Sequence, residues 1–150
     1  MPLEHLIYDR TSADVRNATL KGQYNASDLN RVESWCEYLK NELNTMGYSI
    51  SFTTKTNWVQ SDPRRDSEME RIRQNILKLM TGFRWITKIY TYSNTINYSR
   101  ANNYEKILNE IYNMMLGTNE LYILGGIATG GEPLIWQNRF IRTFDYPEIT

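Results

Sequence analysis

Apolar side chains recur at helical spacing in three separate stretches of this chain, and those stretches predict its body. From Asn25 to Tyr48 they fall at Leu29, Val32, Cys36, Leu39, Leu43 and Met46, in steps of three and four that place them on one helical face. Ser27 is the expected N-cap, with Asp28 behind it where the helix dipole favours negative charge. Gly47 stands where a left-handed residue would end the helix, and Tyr48 can fold back onto the last turn. A second stripe, Met69, Ile72, Ile76, Leu79 and Phe83, predicts a helix opened by Asp66 or Ser67 and stopped by Gly82. The third, Tyr104, Ile107, Leu108, Ile111 and Met115, predicts a helix opened by Ser99 or Asn102 and ended by Gly117. Met and aromatic stripes of this kind are ordinary core rather than the lining of a cofactor pocket.

Between the helices the pattern changes. Residues 1–10 read as an extended arm in which Leu3, Leu6, Ile7 and Tyr8 are available for docking, and Ala13 to Thr19 as a short helix. Tyr48 to Thr56 alternates and is rich in β-formers, which predicts a short strand or extended piece, with Trp58 plugging the core from a loop. Residues 84–98 form a polar-aromatic connection. Glu120–Leu124 reads as a strand, Gly125-Gly126 and Gly130-Gly131 with Pro133 as a hinge, and 134–144 as a second β-type run. In that run Trp136, Phe140 and Phe144 share one side of a strand. The expected architecture is mainly α, a three-helix body at 11–117 with a β-rich C-terminal arm or hairpin at 119–150, α+β overall.

Composition narrows the function. At 150 residues the chain is long enough to bury a useful core. Seventeen basic and seventeen acidic side chains cancel, and the densest basic pair, Arg64-Arg65, is flanked by Asp62 and Asp66. A nucleic-acid partner is therefore not expected. The N-terminus lacks a basic n-region followed by an apolar run, and no window has the length to span a bilayer, so synthesis in the cytoplasm without membrane insertion is the expectation. Eleven tyrosines and four tryptophans suit surfaces that bury on contact.

Catalytic chemistry finds little to work with. His5 and Cys36 are each the sole residue of their type, too few soft ligands for a zinc site, and Cys36 reads as a small buried hydrophobe. Glu33 with Glu37, and Glu68 with Glu70, read as solvated surface carboxylates rather than acid–base pairs. Gly125–Gly131 is not followed by a Lys-Ser/Thr and reads as a turn rather than a phosphate cradle. No catalytic residue, cofactor or metal is expected.

Several pieces occur in a recognisable order: Y-D-R-T-S-A-D-V from Tyr8, L-K-G-Q-Y-N-A-S-D-L-N-R-V-E from Leu20, G-Y-S-I-S-F-T-T-K-T-N-W from Gly47, M-E-R-I-R-Q-N-I from Met69 and I-N-Y-S-R-A-N-N-Y-E-K-I-L from Ile96. This ordered set resembles a family of small proteins from the tail, baseplate and fibre gene regions of Firmicutes phages and prophages. The match covers about the first 117 residues; from Leu121 on, the chain departs from it. The resemblance implies a non-enzymatic virion part, located in the tail of a phage or phage-tail-like particle near the baseplate or fibre attachment. Its implied partners are other tail or baseplate subunits, in a homo-oligomer or multi-copy arrangement, with a host surface receptor as a further candidate. An exposed aromatic strand would add to a neighbour's sheet edge, with Trp136, Arg139, Phe140, Arg142, Phe144 and Tyr146 as the expected interface. The alternative is a receptor- or carbohydrate-binding module at the distal tail, where exposed Tyr and Trp, Trp85 and Trp136 among them, stack on sugar rings.

Overall fold

The computed structural model describes residues 3–84 and 97–129, from 119 on as helix backbone. Four α-helices follow one another: α1 (Ser12–Arg16), α2 (Ala26–Thr45), α3 (Asp66–Gly82) and α4 (Tyr98–Thr129), with a 3₁₀ turn at Leu20–Gly22 between the first two. There is no strand among the described residues, which corrects the α+β expectation. The chain divides into two compact units, 1–112 and 113–150.

The predicted stripes are the core. Leu29, Val32, Cys36, Leu39 and Leu43 of α2 are buried, as are Met69, Ile72, Ile76 and Leu79 of α3 and Tyr104, Ile107, Leu108 and Ile111 of α4. Phe83, just beyond α3, and Trp58, from its loop, are buried too. Helix α2 packs directly on α3 and meets α4 through longer side chains, among them Trp35 against Tyr112. In the second unit, Met115 of α4 is also buried.

The helix ends follow local chemistry. Thr11 caps α1 in a reciprocal box with Asp14, whose carboxylate accepts from the Thr11 amide at 2.8 Å. The cap of α2 is Asn25 rather than Ser27: Asn25 Oδ1 accepts the Ser27 N–H at 2.9 Å, and Asp28 accepts the Asn25 N–H at 2.9 Å. At the far end Gly47 has φ +97°. The Gly47 amide donates to Asn44 and the Tyr48 amide to Leu43, the paired bonds of a Schellman stop. Tyr48 then sets its ring against Phe83, centroids 5.4 Å apart.

One glycine expectation fails. Helix α4 does not stop at Gly117; it continues through Glu120–Leu124 and Gly125-Gly126 to Thr129. Its backbone is thus helical where a strand and a hinge were expected. Glycine costs a helix only about 1 kcal/mol per residue, which does not force a stop. Helix α3 does end at Gly82, and the left-handed residue follows two positions later, Arg84 at φ +57°. The second β-type run, 134–144, lies outside the described residues.

The segment 48–58 forms neither helix nor strand. Helix side chains serve its backbone instead. Asn44 accepts the Ile50 N–H and donates to its carbonyl, both at 2.8 Å. Asn75 and Arg71 donate to Thr53 O at 2.7 and 3.1 Å. Asn30 accepts the Trp58 N–H at 2.6 Å and donates to its carbonyl at 2.9 Å. A carboxamide presents one donor and one acceptor side by side, so it replaces the edge of a neighbouring strand.

Candidate functional site

Two buried glutamates organise the polar interior of the first unit. Glu105 of α4 is fully buried and accepts four hydrogen bonds: from the Ile7 amide at 2.6 Å, Arg10 Nη2 at 2.7 Å, and Arg31 Nε and Nη2 at 2.9 and 3.0 Å. Arg10 also reaches Asp28 at 2.9 Å, and Arg31 bonds the same carboxylate oxygen. Arg10 further donates to the Ile7 and Lys21 carbonyls. Two guanidiniums and two carboxylates therefore close a neutral cluster between the N-terminal strap (residues 3–11), α2 and α4. Burial alone works against the charge on Arg31, but the hydrogen bonds and charges of Glu105 and Asp28 outweigh it and push its pKa up. Burial, then the charges of Glu105 and Asp28, push the Tyr24 phenol up beside them, with the Arg10 guanidinium 5.7 Å from its ring centroid.

Glu33 repeats the design on the other side of α2. It accepts from Arg71 at 2.5 and 2.8 Å, from Trp58 Nε1 at 3.2 Å and from the Lys55 amide at 3.1 Å. The expectation of a solvated Glu33–Glu37 pair is thus corrected: Glu33 has no exposed surface. Period 3.6 places position 33 beside the apolar stripe, but only the arrival of Arg71 from α3 makes a carboxylate affordable there. Lys55 stands 4.0 Å from the Trp58 ring centroid and pairs with Asp62 at 2.9 Å. Glu70 pairs with Arg73 at 2.8 Å, and that bond holds its carboxyl below the ordinary range.

The five ordered stretches quoted from the sequence meet in these two clusters. Arg10 comes from the first, Asp28, Asn30, Arg31 and Glu33 from the second, Lys55 and Trp58 from the third, Arg71 from the fourth, and Asn102 and Glu105 from the last. Asn102 accepts the Arg10 N–H at 3.1 Å and donates to its carbonyl at 2.8 Å. Gly22 earns its place by close approach: a Cβ there would lie 2.2 Å from the Asp14 carbonyl oxygen. All four lone-pair directions of each buried glutamate are taken, so neither carboxylate is open to a substrate. Sequence alone does not find these clusters, because each is assembled from positions dozens of residues apart.

Cys36 is buried, and burial first, then the charge of Glu33, pushes its thiol pKa up. Among the described residues no three His, Cys, Asp or Glu side chains are placed to hold a metal ion, and no helix is long and apolar enough to cross a membrane. The expected interface residues Trp136, Arg139, Phe140, Arg142, Phe144 and Tyr146 lie outside the described residues, as does Trp85.

One concavity of about 280 Å³ lies on the first unit, open on one side, where the strap crosses α2 and α4. Its lining includes His5 and Tyr8 of the strap, Trp35 and Tyr38 of α2, and Asn109 and Tyr112 of α4. Trp35 meets Tyr112 edge-on at 5.2 Å and Tyr38 at 5.8 Å, and its Nε1 donates to the Glu4 carbonyl at 2.8 Å. Compared with protein-family models, curated proteins and solved structures, the chain finds no match.

Proposed function

We propose that this chain is a non-enzymatic structural subunit of a phage tail or phage-tail-like particle, made in the host cytoplasm and placed near the baseplate or fibre attachment. It acts through protein–protein contacts with other tail subunits, in several copies. The observation that carries this reading is where the resembling residues go. Arg10, Asp28, Arg31, Asn102 and Glu105 spend their polar atoms on one another and on the strap backbone. A sequence pattern spent on a saturated internal brace suits a scaffold, since a catalytic pattern would leave an acid, base or nucleophile open to substrate. Contact with neighbours is assigned to the C-terminal segment through Trp136, Arg139, Phe140, Arg142, Phe144 and Tyr146, residue types that dominate binding hot spots.

Light scattering of the full chain, alone and mixed with tail proteins of the same particle, tests this. A defined oligomer or complex that is lost in the Trp136→Ala/Phe140→Ala variant is the expected result. A compact monomer that ignores tail proteins would sink the assignment.

A further inference from the structure

We propose that the aromatic hollow between the strap, α2 and α4 is a binding site for a single neutral sugar ring. This inference does not depend on the tail assignment.

The chemistry of the lining selects the ligand. No Lys, Arg, Asp or Glu lines the hollow, so a charged ligand entering it would lose hydration with no counter-charge in return. A purely apolar ligand fits no better. His5, Asn109 and three tyrosines, Tyr8, Tyr38 and Tyr112, line the hollow beside Leu3, Leu6 and Trp35, and an aliphatic surface would match only the apolar part of that mixture. A pyranose meets both demands. Its C–H face lies on an aromatic ring, while its hydroxyls at the ring edge exchange hydrogen bonds with a carboxamide and phenols. Asn109 carries one acceptor and two donors, which suits a pair of adjacent hydroxyls.

Size and rigidity agree. About 280 Å³ is at the small end for ligand pockets, room for one or two rings rather than a drug-sized molecule. The walls are set before any ligand arrives. Trp35 is pinned by Glu4, and the strap is fixed by the Ile7–Glu105 and Arg10–Asn102 bonds. Tyr8 is 43% exposed, so a ring can reach the hollow from solvent. A half-open site of this kind holds one sugar weakly, with a millimolar dissociation constant.

The test is an NMR titration of the full chain with glucose, galactose, N-acetylglucosamine and N-acetylgalactosamine, with glycerol as the control polyol. At least one sugar is expected to give saturable shifts confined to the rings of Tyr8, Tyr38 and Tyr112 and the Asn109 side-chain amide, insensitive to salt. Tyr38→Ala should weaken that binding about tenfold or more, and Asn109→Ala, at a half-exposed position, several-fold with the fold intact. Trp136→Ala should leave it unchanged. Absence of saturable shifts with all four sugars overturns the proposal, as do shifts that map elsewhere or equal affinity in Asn109→Ala. If Tyr38→Ala does not fold, the wild-type shift map and Asn109→Ala decide the matter between them.

Discussion

Asn102 holds the backbone of Arg10 by both its N–H and its carbonyl, at 3.1 and 2.8 Å, across 92 residues of sequence. Asn30 does the same for Trp58 and Asn44 for Ile50. In each case a helix side chain takes the place of a strand neighbour, so segments without helix or strand lie on a helical body without forming a sheet. The many asparagines of the chain find part of their explanation here.

Asn102→Ala should destabilise the protein by about 2 kcal/mol, roughly 1 for each lost bond. Urea denaturation reads this directly. Asn30→Asp is a sharper variant: it keeps the acceptor for the Trp58 amide but sets a carboxylate against the Trp58 carbonyl. It should cost at least as much as Asn30→Ala. An Asp variant as stable as wild type would show that the donor half of the clamp contributes nothing.

Glu105→Gln leaves Asp28 as the one buried carboxylate between Arg10 and Arg31, with the exposed Glu4 3.9 Å from Arg31. Removing one partner of a buried ion cluster costs about 3–5 kcal/mol, a large part of the stability of a small domain. The variant should melt well below wild type, or fail to fold, and strap residues 3–10 should lose protection from hydrogen exchange first. A change under about 1 kcal/mol would mean the cluster is solvated in solution.

Gly22→Ala should destabilise by about 1–3 kcal/mol, since the new methyl meets the Asp14 carbonyl oxygen 2.2 Å away and backbone must shift. Gly117→Ala is the contrast. Nothing lies within 4 Å of a Cβ there, so the gain in helix propensity should leave stability equal or about 1 kcal/mol higher. Thermal melts of the two variants side by side settle both.

The Arg73 bond holds the Glu70 carboxyl below its ordinary value of 4.5. A carboxyl depressed on folding adds stability that is fully present above the unfolded value and is lost as pH falls through the folded one. Glu70 is partly exposed, so screening keeps the contribution to about 1 kcal/mol or less. Glu70→Gln should therefore be less stable than wild type at about pH 7, well above the ordinary carboxyl range, and the difference should shrink in acid. A gap that is constant with pH would trace to packing rather than charge.

Cys36 should resist thiol reagents in the folded protein, because burial blocks access and raises its pKa. Labelling should proceed at the rate of unfolding and become fast in urea. Fast labelling without denaturant would mean that the α2 core opens locally.

What the sequence determined by itself are the features that obey local rules. The three apolar stripes, the left-handed stop at Gly47 and the burial of Trp58 and Cys36 follow from helical period and short-range backbone chemistry, and all stand in the structure. Tertiary contact decided the rest. Glu33 reads as a surface residue until Arg71 reaches it from 38 positions away, and Arg10 reads as part of a free arm until Glu105 and Asn102 receive it. The segment 48–58 has a strand's pattern, yet helix side chains take its hydrogen bonds before any strand can. Helix α4 passes Gly117, Gly125 and Gly126 because a glycine's helix penalty is small beside the continuity of the hydrogen-bond ladder. A buried charge or an extended backbone is stable only where its partner stands, and partners dozens of residues away leave no mark on the local pattern.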